Sequence, residues 1–116
     1  MDERNRDFFA TVAYIYLQHG NPADAVAILE VAVDELANDC ELLRLLTYGL
    51  LRVQRFQDAL ERSDQLSVLG AKDETHNLMR SRALLGLGRE REARQLWRSS
   101  RQPSDRAPRQ LQAASA

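Results

Sequence analysis

Apolar residues recur along this chain at steps of three and four, in six blocks separated by short polar or glycine-bearing breaks, and the pattern predicts six α-helices. The first covers about residues 4–18, with Phe8, Val12, Ile15 and Tyr16 on the face expected to turn inward. Gly20 ends it, Asn21 is suited to cap the next helix, and Pro22 fits the first helical position, where its missing N–H is not needed. The second helix runs to about residue 36 with Ala25, Ile28, Leu29, Ala32, Val33 and Leu36 inward. Asn38 and Glu41 stand three apart in the manner of a capping box and open a third helix at about 39–53, carrying Leu42, Leu45, Leu46 and Leu50. A fourth at about 56–68 carries Phe56, Ala59, Leu60 and Leu66. Asp73 caps a fifth at about 74–86, Gly88 stops it, and a sixth at about 90–99 carries Ala93, Leu96 and a half-exposed Trp97.

The blocks repeat. Ala25, Ala59 and Ala93 lie 34 residues apart, each preceded by an acid (Asp24, Asp58, Glu92), a turn and two apolar residues. A fixed period of this size is the signature of stacked helix pairs, and 34 is the period of the tetratricopeptide repeat, TPR. The chain resembles that family over about residues 6–99. The first repeat (about 6–39) matches with Val12, Ala13, Tyr16, Gly20, Ala25, Leu29 and Ala32. The second (about 40–73) matches with Leu46, Leu50, Phe56, Ala59 and Leu66, and departs at Thr47, Gln54 and Ser63. The third (about 74–107) matches with Leu84, Gly88, Ala93 and Trp97, and departs at Arg80 and Ser100. The resemblance implies an all-α fold of three tandem TPR-like helix-turn-helix repeats wound into a short right-handed superhelix with a concave face. Residues 1–99 form this domain. Residues 100–116, with Pro103, Pro108 and one large apolar residue, Leu111, are expected to be a flexible tail, because they cannot bury enough surface to offset their ordering entropy.

Composition turns the expectation from catalysis to binding. The 44% hydrophobic content suits a folded domain and the scarcity of glycine and proline suits long helices. Net charge is near zero but uneven, −6 over residues 1–73 and +5 over 74–116. A basic partner could be drawn to the first region and an acidic one to the second. The arginines from Arg80 to Arg109 are interleaved with acids up to residue 92 and have few aromatic companions, which makes a poor nucleic-acid stripe. No nucleic-acid partner is expected. Cys40 is the one cysteine, so no internal disulfide can form, which fits a reducing compartment. No apolar run reaches the roughly 18 residues of a membrane span, so no membrane insertion is expected and a cytoplasmic location is. His19 and His76 lack acid or cysteine neighbours at metal-ligand spacing, Gly86 and Gly88 lack the lysine of a phosphate loop, and Cys40 has no partnered base. No catalytic, metal or cofactor site is expected.

A narrower resemblance lies in Arg6 through Gly20, followed by Ala27-Ile28-Leu29-Glu30. These residues resemble the small TPR chaperones of bacterial type III secretion, most of all the YscY/SctY class. The LcrH/SycD class, which chaperones translocators, has a longer N-terminal region. The resemblance implies a chaperone that holds a small early-secreted export component of the YscX/SctX class and also meets an export-gate protein. Other readings are a translocator chaperone or a general TPR adaptor.

In the family the concave face is lined by the first helix of each repeat. The 34-residue register makes Tyr14, Tyr48 and Arg82 equivalent. On the first helix Ala10, Tyr14 and Gln18 share a face. On the third Arg44, Tyr48 and Arg52 do, and on the fifth Leu78 and Arg82. These eight are the expected partner-binding residues, since aromatic and arginine side chains carry much of the energy at interfaces. The competing expectation is that both tyrosines pack between helices. Stacked repeats also need a polar terminal cap. With no seventh helix in view, either the end beyond Trp97 or the groove is expected to be covered by a partner or by a homodimer mate.

Overall fold

Four acidic or amide side chains begin four of the helices. Asp2 accepts from Asn5 N–H at 2.8 Å, Asn21 from Asp24 N–H at 3.3 Å, Asp39 from Leu42 N–H at 3.1 Å and Asp73 from His76 N–H at 2.9 Å. The computed structural model describes residues 2–100. It contains α1 (Glu3–His19), α2 (Pro22–Glu35), α3 (Cys40–Arg52), α4 (Phe56–Val68), α5 (Glu74–Gly86) and α6 (Glu90–Ser100). The third cap is Asp39 and not Asn38. Besides capping, Asp39 takes both prongs of the Arg6 guanidinium, at 2.7 Å and 3.1 Å, which fixes α1 to the start of α3. The expected tail begins one residue early at Ser100, which closes α6, and its remaining residues, 101–116, lie outside the described ones.

Connections of two to five residues turn the chain back after each helix, so every helix packs against the next. Beyond these sequential contacts, α3 touches both α1 and α5. The backbones of the even-numbered helices stay further apart among the described residues, so the odd helices form one close layer and the even helices a more open one. The turns recur with the repeat. Gly20, Gln54 and Gly88 are spaced by 34 residues, and their φ angles are +149°, +65° and +79°. Gln54 thus holds, as a non-glycine, a left-handed conformation that costs a side chain about 1–2 kcal/mol.

One continuous core runs through the layers. Ala13 and Leu17 enter it from α1, Leu29 and Val33 from α2, Leu42, Leu43, Leu46 and Leu50 from α3, Ala59 and Leu66 from α4, Ala83 and Leu84 from α5, and Ala93 from α6. The inward face of α1 differs from the expected one. Phe8, Ile15 and Tyr16 are exposed and Val12 is only half-buried, while Phe9, Ala10, Ala13 and Leu17 face the core. The apolar steps of this helix fit two faces, and the neighbours α2 and α3 select the second.

Three of the departures from the repeat pattern, Thr47, Ser63 and Arg80, are internally answered. Thr47 donates to the Leu43 carbonyl at 2.7 Å inside its own helix. Ser63 is buried, donates to the Leu60 carbonyl at 2.7 Å and accepts from Arg80 Nη1 at 2.9 Å. Arg80 also pairs with Asp64. His76 is buried beside them, with Nε2 at 2.9 Å from the Ser63 carbonyl and 3.1 Å from Ser67 Oγ, so its role is to join α5 to α4.

Candidate protein-binding groove

Because α1, α3 and α5 form one layer, residues at the same repeat position on each come to the same side. Tyr14 and Gln18 from α1, Arg44 and Tyr48 from α3, and Leu78 and Arg82 from α5 border one depression of about 410 Å³. Its floor is apolar, formed by Leu17, Leu45 and Met79, with Thr75 at one edge. Six of the eight residues expected to bind a partner are thereby brought together. Ala10 lies one step along the same helix, in an adjoining depression that shares Tyr14 and Leu45 with the first.

Arg52 is placed elsewhere. Its Nη1 donates to the Leu17 carbonyl at 2.8 Å, satisfying an orphan acceptor at the end of α1, and its guanidinium lies 5.9 Å from the centre of the Tyr48 ring. It therefore holds the groove wall and does not line the groove. Both tyrosines remain accessible, Tyr14 at 54% and Tyr48 at 37%, and their rings do not pack away between helices.

The charges at the rim are unequal. Arg44 is engaged by Asp73 at 2.7 Å, and its Nε is buried without an acceptor. Arg82 has no ion-pair partner among the described residues. At the Ala10 end, Arg6 binds Asp39, Asp7 and Glu41 together. The Asp39 carboxylate is held below its ordinary pKa chiefly by the Arg6 hydrogen bonds, and the Arg6 guanidinium is held correspondingly further toward its charged form. Such an arrangement can accept an amphipathic segment: apolar side chains against Leu45 and Met79, tyrosine hydroxyls for polar atoms, and Arg82 for an acid.

Leu17, Leu45, Thr75 and Met79 were absent from the expected set. Leu45 follows Arg44 directly and precedes Tyr48 by three, while Thr75 and Met79 share the α5 face with Leu78 and Arg82, so helical spacing around the chosen residues identifies them. Among the described residues no three His, Cys, Asp or Glu side chains are grouped to hold a metal ion, and no helix is long and apolar enough to cross a membrane. In comparisons with known proteins, no family model and no curated protein matches the chain.

Proposed function

We propose that this chain is a TPR-like binding module whose groove sequesters an amphipathic segment of one small partner protein. The carrying observation is the convergence of Tyr14, Tyr48, Leu78 and Arg82, from three successive odd helices, on one apolar depression. The 34-residue recurrence of the positive-φ turns and the layering of odd against even helices favour three TPR-like repeats in a right-handed superhelix. The role is that of a holder: covering a partner's apolar face keeps it soluble and prevents premature assembly.

The resemblance of Arg6–Gly20 and Ala27–Glu30 to the YscY/SctY class narrows this to a cytoplasmic chaperone of type III secretion, holding an export component of the YscX/SctX class and meeting an export-gate protein. The test is affinity purification from the native host, with mass spectrometry of the recovered proteins. The expected result is one small secretion-system protein in stoichiometric amount, lost in a folded Tyr14→Ala/Tyr48→Ala variant. Recovery of a pore-forming translocator instead would move the assignment to the LcrH/SycD class. Recovery of unrelated proteins through the same groove would leave a general adaptor. Retention of the partner by the double variant would remove the groove from the mechanism.

A further inference from the structure

The repeat register places Phe8, Val12, Ile15 and Tyr16 of α1 at the positions of Leu42, Leu46, Gly49 and Leu50 in α3, and of His76, Arg80, Ala83 and Leu84 in α5. In α3 all four are buried, because this face meets the preceding helix pair: a Cβ on Gly49 would stand 2.9 Å from Val26 Cγ2 and 3.4 Å from Leu17 Cδ2. In α5 three of the four are buried against α3 and α4. In α1 Phe8 is 64% exposed, Ile15 50% and Tyr16 39%, and no described element covers them. This is a stacking face without its stack.

The face is not shaped for another helix pair of the same kind. Where α3 has Gly49 and α5 has Ala83, small enough for close approach, α1 has Ile15. Nor does α6, the last described helix, offer a matching surface, since Arg94, paired with Glu90, occupies the register position of Val26 and Leu60. Head-to-tail stacking of copies is therefore disfavoured at both faces.

The stripe is instead complementary to itself. Phe8 lies four residues before Val12 and Tyr16 four after, so it presents aromatic, valine, aromatic when read from either end. An antiparallel two-fold pairing centred on Val12 sets Phe8 of each copy over Tyr16 of the other, with Ile15 alongside. The same pairing brings Arg4, which has no ion-pair partner among the described residues, to the carbonyl end of the opposing α1 near Gly20, where a cation is favoured. We propose that two copies of this chain pair through the α1 stripe about Val12. Tyr14 and Gln18 sit on a different face of α1, so both grooves stay open in the dimer.

Sedimentation velocity of the full chain over a concentration series tests this, with a species of twice 13.2 kDa expected. Ile15→Glu places a charge at two symmetric points and should weaken association at least about 100-fold. Phe8→Ser, at a site too exposed to threaten folding, should weaken it in the same direction. Val68→Glu, on an exposed residue of α4, should leave it unchanged. In a Cys40→Ser background, Val12→Cys should give a disulfide-linked dimer on mild oxidation and Val68→Cys should not. A folded wild-type chain that stays monomeric at the highest concentration overturns the proposal. So does a dimer that survives both α1 substitutions, or an α1 stripe protected only when a heterologous protein is bound.

Discussion

The first and third helices occupy the same place in the repeat and have opposite fates. In α3, Leu42, Leu43, Leu46, Thr47, Gly49, Leu50 and Leu51 are buried, whereas in the longer α1 only Ala13 and Leu17 are. Yet α1 runs from Phe8 to Leu17 with a single polar interruption at Thr11 beyond its tyrosines. The difference lies in neighbours: among the described residues, α3 is enclosed by α1, α2, α4 and α5, and α1 meets only α2 and α3. Burial of a helix is thus a property of its neighbours as much as of its own hydrophobicity.

The sharpest way to break that comparison is to truncate equivalent faces. Leu46→Ala, at a fully buried position, should lower stability by about 3 kcal/mol in denaturant titration. Ile15→Ala, measured at dilute protein concentration, should change it by less than about 1 kcal/mol. Equal losses would mean that α1 is as enclosed as α3. The seam between the second and third helix pairs comes next. A Cβ on Gly86 would overlap the Phe56 ring, so Gly86→Ala should cost about 2 kcal/mol, and a neutral result would mean that α4 and α5 can slide apart freely.

A smaller effect separates the ion pair joining α1 to α3 from the cap it overlies. Asn retains the capping oxygen, so Asp39→Asn removes the charge and the oxygen that accepts from Arg6 Nε while leaving the cap, and should cost about 1 kcal/mol at neutral pH. The native Asp39 pKa is depressed, so this contribution is fully present above the unfolded carboxylate value, about 3.9, and fades as pH falls through the lower folded value. The stability curves of wild type and variant should therefore converge on acidification. A gap that stayed constant into acid would assign the effect to the cap. The smallest expected change is favourable: Gln54→Gly, at φ +65°, should raise thermal stability by about 0.5–1 kcal/mol and bring the middle turn into line with those at Gly20 and Gly88.

What is legible in the sequence follows the range of the interactions. Helix limits and the caps at Asn21 and Asp73 depend on residues within one turn, and they came out within a residue or two. Six groove residues were legible because a strict period carries a face from helix to helix. Three features depended on contacts across helices and were not. Asp39 prevails over Asn38 because Arg6 reaches it from α1. Arg52 leaves the groove because the end of α1 offers it the Leu17 carbonyl. The inward face of α1 is chosen by α2 and α3, between two faces with comparable apolar content.

The bond between Ser63 of α4 and Arg80 of α5 makes the order of substitution at these two sites matter. Arg80→Leu leaves Ser63 Oγ with the Leu60 carbonyl as its remaining partner, so the arginine can be exchanged while the serine stays satisfied. Ser63→Ala made first leaves a half-buried guanidinium leaning on Asp64 alone. Replacing the pair by alanine and leucine is therefore easier when Arg80 is changed first than when Ser63 is. Two residues seventeen apart in the sequence must be treated as one unit of change.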